Sequence, residues 1–224
     1  MIPKIIHRTV QHNTNELIDT CFDRMKHFHP DWEIKTWYDE DEYPYVGKHL
    51  DKCIAGAFRA DLIRLDVVYR YGGIYLDSDV YLVKALDDLL DQEFFCAGEL
   101  VKTYGNIAFG ATPKHPLIKK LIEVAIEELP QMSLSTSSYT YSGEPCAWGP
   151  YVHTKALFFE EGAVRLPQDA FQPYTLVDSS EEVPLMRPLT DKPSKKAPTL
   201  TERTYGVHLN NWSWNPDKSW DNRK

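Results

Sequence analysis

One stretch constrains this chain more than any other: Ala55–Val83, AGAFRADLIRLDVVYRYGGIYLDSDVYLV. Its first half has the periodicity of a helix, with Ile54, Ala57, Phe58, Leu62, Leu65, Val68 and Tyr69 forming one apolar stripe. Arg59, Asp66 and Arg70 fall on the opposite face, where Asp66 and Arg70 have the (i, i+4) spacing of a solvated ion pair. Asp61 interrupts the stripe, and Arg64 follows three residues later at its edge. A carboxylate on a core-facing stripe is costly unless a charge or a hydrogen-bond donor meets it. Asp61 and Arg64 are therefore either a buried structural pair or part of a site. Gly72-Gly73 stops the helix, because the residue just past a helix end usually needs positive φ. Ile74-Tyr75-Leu76 then reads as a strand, and in an extended chain Asp77 and Asp79 project to the same side with small Ser78 between them. Two carboxylates converging at a strand end offer Mg²⁺ or Mn²⁺ an oxygen-rich site.

The run RADLIRLDVVYRYGGIYLDSDV resembles the signature of the DXD-motif sugar-transferase family, the glycosyltransferase family 32-like proteins. That family includes initiating mannosyltransferases of the yeast type, capsular-polysaccharide transferases and, more distantly, the glucosylating domain of clostridial toxins. Four further blocks follow in order. Ile2–His7, IPKIIH, resembles the opening motif, with Val10 where the family has tryptophan. Pro30–Asp39, PDWEIKTWYD, resembles the second block. Asn106–Pro116 matches N-x-x-F-x-A-x-P-x-H-P, and His208–Trp214 matches H-x-x-x-x-S-W. Between these two, Trp148-Gly149-Pro150 resembles the T-G-P turn with Trp148 replacing threonine. The resemblance implies an α/β GT-A (Rossmann-like) nucleotide-sugar transferase fold in a single domain, a nucleotide-sugar donor, Mn²⁺ or Mg²⁺, and retention of anomeric configuration.

The resemblance also assigns roles by position. Asp61, Arg64, Asp77 and Asp79 would be catalytic, and Asp77, Asp79 and His208 the metal ligands. His7, Thr9, Asp39, Asp61, Arg64, Tyr75, Asp77, Ser78, Asn106 and Trp214 would line the donor site. For Asp39 the alternative is a cap on a following helix. Residues 1–110 would bind the nucleotide sugar, residues 111–204 would form the acceptor side, and residues 205–224 a C-terminal lid. A UDP-sugar is favoured over GDP-mannose as donor, and the acceptor expected is a glycan or lipid-linked glycan of a surface polysaccharide such as capsule or lipopolysaccharide.

Along the rest of the chain, Glu16–Phe28 and Leu117–Leu129 read as amphipathic helices, Tyr151–Phe159 as another, and Phe94–Gly98 and Asn106–Ala111 as strands. Pro130–Gly143 reads as a polar loop, and Val177–Thr201, with four prolines, as an irregular excursion. With 42% hydrophobic and 26% charged residues the composition is that of an ordinary globular protein. A net charge of −8 argues against a nucleic-acid partner. No apolar run of about 18 residues suggests a transmembrane segment. The first residues lack the pattern of a secretory signal, and the cysteines (Cys21, Cys53, Cys96, Cys146) are too scattered for a disulfide framework. The expected location is cytoplasmic, with peripheral contact at the inner face of the membrane.

Two other readings compete. A strand followed by D-x-D-x-V also suits a phosphohydrolase of the haloacid-dehalogenase type, with Asp77 as nucleophile. No later G-D-x-x-x-D motif accompanies it. The second is a non-catalytic, sugar-binding relative, against which stands the retention of both aspartates, Arg64 and His208.

Overall fold

The structure is a computed structural model, and it describes residues 1–99, 103–132, 139–141, 144–173 and 198–209. In chain order its elements are β1 (Ile5–Thr9), α1 (Glu16–Phe28), β2 (Glu33–Trp37), α2 (Gly56–Tyr71), β3 (Gly73–Leu76), β4 (Val80–Leu82), β5 (Phe94–Gly98) and β6 (Tyr104–Ala111). Then come α3 (Pro116–Glu128), β7 (Tyr139–Tyr141), β8 (Glu144–Cys146), α4 (Trp148–Leu157), β9 (Val164–Arg165) and β10 (Gly206–His208). Six strands make one mixed sheet in the order β2-β1-β3-β6-β5-β9. β1 pairs in parallel with both β2 and β3, whereas β6 runs antiparallel to β3 and β5. Covered on both faces, β3 is buried along its whole length, whereas the edge strand β2, EIKTW, is only partly buried.

One face carries α2, α3 and α4. There Leu62, Leu65, Val68, Ile118, Leu121 and Ala156 pack on Tyr75, Phe94 and Phe109 of the sheet. On the other face Met25 of α1 joins Ile6, Ile74, Leu76, Phe95 and Ile107, and Leu17, Ile18 and Cys21 of the same helix meet Val207 and Leu209. α1 begins where Asn15 accepts a hydrogen bond from the Ile18 amide at 3.0 Å, the usual N-cap. α2 stops at Gly72 (φ 63°) and Gly73 (φ 94°). A Cβ on Gly73 would stand 2.6 Å from the Ile5 carbonyl oxygen, so the close approach of β3 to β1 also depends on glycine.

Four expectations need correction. Asp66 is no solvated partner of Arg70: it is fully buried and accepts the Tyr45 and Val46 amides at 2.7 and 3.1 Å, with the Arg70 guanidinium 3.8 Å away. Its carboxylate caps the loop that leads into α2. Periodicity missed this because α2 is covered on several sides in its second half, where Ile63, Arg64, Asp66 and Val67 are all buried. Ile54, placed on the apolar stripe, precedes the helix and is exposed. The Asp77–Asp79 segment is not extended; it is a tight turn between β3 and β4, closed by the Val80 amide on the Asp77 carbonyl at 3.0 Å. The polar stretch after α3 contains a hairpin, β7 paired with β8. Most of the proline-rich excursion lies outside the described residues.

The cap reading of Asp66 is testable. A solvated (i, i+4) pair is worth roughly 0.3–0.5 kcal/mol, whereas removing a buried carboxylate from two amides should cost about 2–4 kcal/mol. Asp66→Ala is expected to lower the urea midpoint by the larger amount, and a change in the smaller range contradicts the cap.

Candidate active site

Side chains from α2, the turn after β3, β6 and β10 converge at the ends of β3 and β6. α2 brings Asp61 and Arg64, and the turn after β3 brings Asp77 and Asp79. Arg64 is almost wholly buried, and its donors reach three elements. Nε donates to the Ala60 carbonyl (3.2 Å), Nη1 to the Asn106 carbonyl of β6 (2.7 Å), and Nη2 stands 3.0 Å from Asp61 and 3.2 Å from Asp77. Its guanidinium also lies over the Tyr75 ring, 4.6 Å from the centroid. Burial works against its charge, but the surrounding acids, Asp77 foremost, raise its pKa further above an already high value. Asp61 is both an ion-pair partner and a hydrogen-bond acceptor, since the Asn106 amide donates to the same oxygen at 2.6 Å. Burial lifts the Asp61 carboxyl to about 6, against the opposing pull of Arg64. Burial likewise raises Asp77, and Arg64 again opposes it.

A hydroxyl ladder supports Asp77 from below. Tyr75 is fully buried, and its hydroxyl donates to Asp77 Oδ1 at 3.0 Å. That uses its only proton, so the Thr9 hydroxyl, 2.8 Å away at the end of β1, donates to Tyr75.

The third member of the carboxylate cluster comes from far along the chain. β10 pairs antiparallel with β4, setting His208 opposite Val80 and next to the D-x-D turn. The Leu209 amide fixes this register by donating to the Asp79 carbonyl at 3.0 Å. His208 Nε2 then lies 3.2 Å from Asp79 Oδ1 and 3.8 Å from Asp77 Oδ2. One ligand atom from each of these three residues falls within a 4.8 Å cluster. Two carboxylate oxygens and an imidazole nitrogen, largely shielded from water, suit a divalent cation such as Mn²⁺ or Mg²⁺. Without a cation, burial lowers the His208 pKa, but the Asp79 carboxylate outweighs it and the ring is raised to about 9. The imidazolium then takes the place of the positive charge that the carboxylates need.

The structure brings together Asp61, Arg64, Asp77, Asp79, Asn106 and His208, with Ser78 at the turn and Thr9 and Tyr75 beneath. Other expected positions differ. The His7 ring is buried, accepting from the Trp37 indole at Nδ1 (3.0 Å) and donating from Nε2 to the Gly72 carbonyl (2.7 Å). Burial lowers its pKa to about 4, so it is a neutral brace between sheet and helix with both nitrogens in use. Asp39 neither caps a helix nor enters this cluster. It pairs with Arg59 at 2.7 Å on an exposed surface, while Asp41 accepts the Tyr38 amide. Trp214 lies outside the described residues.

Sequence reasoning missed Glu99, and it read Trp148-Gly149-Pro150 as a turn where the structure begins α4. Glu99, at the end of β5, has one carboxylate oxygen buried without a hydrogen-bond partner. Burial lifts its pKa to about 7; the charge of His208 opposes that, and Asp77 and Asp61 add to it. An isolated glutamate after F-F-C-A-G carries no local signal, and only the fold reveals its neighbours.

Comparison with known proteins gives this geometry a context. Residues 15–96 match the model of a glycosyltransferase sugar-binding region containing the DXD motif. Inositol phosphoceramide mannosyltransferase 3 of Schizosaccharomyces pombe is 33% identical over 131 residues, covering 54% of this chain and 36% of its own length. Mannosyl phosphorylinositol ceramide synthase CSH1 of Saccharomyces cerevisiae is 32% identical over 137 residues, covering 55% and 35%. Human alpha-1,4-N-acetylglucosaminyltransferase is 27% identical over 103 residues, covering 46% and 27%. The chain therefore spans about a third of the length of the curated relatives it matches. Among solved structures, PaToxG glycosyltransferase superposes with a TM-score of 0.54 at 19% identity, covering 70% of this chain and 69% of that one. Galactosyltransferase LgtC with donor and acceptor sugar analogs gives 0.52 at 13% identity, covering 95% and 90%. At such identities the likeness is one of fold, and the fold is GT-A.

The raised His208 pKa has a measurable sign. In metal-free protein its stabilising contribution should be complete below about pH 6.5, the ordinary value, and lost as pH rises through about 9. An imidazole NMR titration is expected to give a midpoint near that value in the native chain and a lower one in Asp79→Asn. An ordinary midpoint unaffected by the mutation contradicts the pairing.

Proposed function

We propose that this chain, whose residues 15–96 carry the sugar-binding region of DXD-motif glycosyltransferases on a GT-A fold, is a metal-dependent, retaining glycosyltransferase. It moves a hexose or N-acetylhexosamine from a nucleoside-diphosphate sugar to a glycan or lipid-linked acceptor. The observation that carries this reading is the convergence of Asp77, Asp79 and His208 beside the Asp61–Arg64–Asn106 network. A divalent cation held by those three residues would act as a Lewis acid on the donor's diphosphate and screen the charge of the leaving nucleotide.

The chain's own groups do the rest. Asp61 accepts hydrogen bonds from the sugar's hydroxyls, and Asn106 and Arg64 fix the carboxylate that does so. Arg64, with its donors turned to Asp61, Asp77 and the Asn106 carbonyl, neutralises the acids and sets their positions more than it grips the donor. Thr9 and Tyr75 hold Asp77 in its orientation, and Ser78 offers a hydroxyl at the turn. In the retaining mechanism of the family, the leaving phosphate takes the acceptor's proton. Donor binding is assigned to residues 1–110 and the acceptor side to residues 111–204. Val207 and Leu209 are buried against α1 and β10 is paired, so Gly206–Leu209 belongs to the body of the fold rather than to a lid.

The acceptor is narrowed only by analogy. Relatives named for inositol phosphoceramide mannosylation favour a lipid-linked acceptor, beside the surface polysaccharide expected from the motifs. Among the described residues no helix is long and apolar enough to cross a membrane, so contact with a lipid acceptor would be peripheral. The proposed location is cytoplasmic, in keeping with cysteines too scattered in the sequence for a disulfide framework.

A panel of UDP-sugars and GDP-mannose with Mn²⁺ tests the donor. At about 100 times Kd a true donor stabilises by roughly 2.7 kcal/mol, and EDTA should erase both that shift and turnover. Activity that persists in EDTA overturns metal dependence, phosphate release from simple monoesters revives the phosphohydrolase reading, and donor binding without turnover points to the sugar-binding relative. An inverted linkage by NMR coupling constant excludes retention.

Asp61→Asn separates site from scaffold. The amide keeps an oxygen for Arg64 and Asn106 but loses a charge that burial disfavours. Thermal stability is expected to hold while turnover falls at least ~100-fold, the scale of losing several kcal/mol of differential binding. Loss of stability with turnover retained assigns the pair to structure.

A further inference from the structure

The start of α4 meets the Asp61–Asn106 pair where there is no space for a side chain. A Cβ on Gly149 would lie 2.7 Å from Asn106 Cγ, closer still to its amide nitrogen, and 3.1 Å from Asp61 Oδ2. Backbone conformation does not explain the glycine, since Gly149 is within the first turn of a helix and is absent from the positive-φ residues. On conformational grounds alanine would be the better residue there. What selects glycine is the proximity of the two polar tips.

The environment makes that contact rigid. Trp148, the preceding residue, is buried with its ring edge-on to Phe58 of α2 at 5.6 Å. Phe58 sits three residues before Asp61, so α4 is keyed to the helix that carries Asp61 and Arg64. One turn further on, His153 is buried against Cys96 of β5, with Nδ1 3.4 Å from Sγ. α4 is thus locked at its start and along its length. Asn106 has little freedom either, because its carbonyl accepts from Arg64 and its amide donates to Asp61. A methyl group at position 149 would push Asn106 off Asp61 before it displaced any backbone.

We propose that Gly149 is a positioning residue: the bare backbone at the start of α4 is the wall against which the Asp61–Asn106 pair is set for binding the donor sugar. The role rests on the sugar-transfer reading. Its signature is a substitution that damages the site and spares the fold, and whose effect depends on Asn106.

The experiment compares the full chain with Gly149→Ala, Asn106→Ala and the double variant. In Gly149→Ala, kcat/KM for the donor that the native chain uses should fall at least ~100-fold, with the urea midpoint nearly unchanged. Affinity for UDP with Mn²⁺ should change less than about threefold, because the Asp77–Asp79–His208 cluster is untouched. The Asn106 side-chain amide resonance should move in ligand-free protein. With Asn106→Ala as background, Gly149→Ala should cause no further fall in kcat/KM, because the obstructing amide is gone. Native kcat/KM in Gly149→Ala, or an unmoved Asn106 amide, overturns the proposal. So does a large fall of the urea midpoint in both backgrounds, which would make Gly149 an ordinary packing position. If the native chain turns over no nucleotide sugar, the sugar-transfer reading fails by itself. The Asn106 resonance and the urea midpoint, which need no donor, still decide whether Gly149 sets the pair or merely packs.

Discussion

Everything at this site depends on one buried cation. Arg64 is surrounded by Asp61, Asp77 and the ring face of Tyr75, and it donates into the backbone of β6. Isolated carboxylates this far from water would cost several kcal/mol each. A guanidinium among them makes the arrangement tolerable because its planar fork meets acids and a carbonyl at once. The consequence is architectural: helix α2, the D-x-D turn and strand β6 cannot shift independently while that fork holds them. A charged ligand bound beside that fork would require little reorganisation of the site.

The same charge balance explains why the acids differ. Asp77 touches Arg64, Tyr75 and His208, whereas Asp61 shares one oxygen between Arg64 and Asn106. Glu99 lacks a partner for one oxygen and is lifted to about 7, burial being the largest cause. Burial raises all three carboxyls, Asp61 to about 6 and Glu99 to about 7, and shifts of this kind are concentrated at functional sites.

Much of this was legible in the chain. The Asp61–Arg64 spacing, the Gly-Gly stop and the D-x-D identified α2, β3 and the cluster, because each carries a local physical signal: a charge out of place, a positive φ, two acids in near succession. The extents of α1 and β5 followed from periodicity. What stayed hidden was non-local. Asp66 looked solvated because a helical wheel knows nothing of the loop at Tyr45–Val46. His7 looked like a ligand because its position at the end of β1 gives no hint of Trp37 and Gly72 taking both nitrogens. Asp39 followed the second strand as a ribose ligand would, yet its partner is Arg59. Gly149 read as part of a turn motif, and only packing shows that its missing side chain faces Asn106.

The pairing of β10 with β4 has a consequence for how the protein matures. His208 joins carboxylates more than a hundred positions earlier, so the cation cluster has the longest loop closure of any feature in the site. A ribosome-bound chain that has exposed only the sheet and α2 holds two acids beside Arg64 and no imidazole to complete them. Any cation those three residues hold would be captured only once the last strand arrives. Chains that stop short of β10 would lack the imidazole of that cluster.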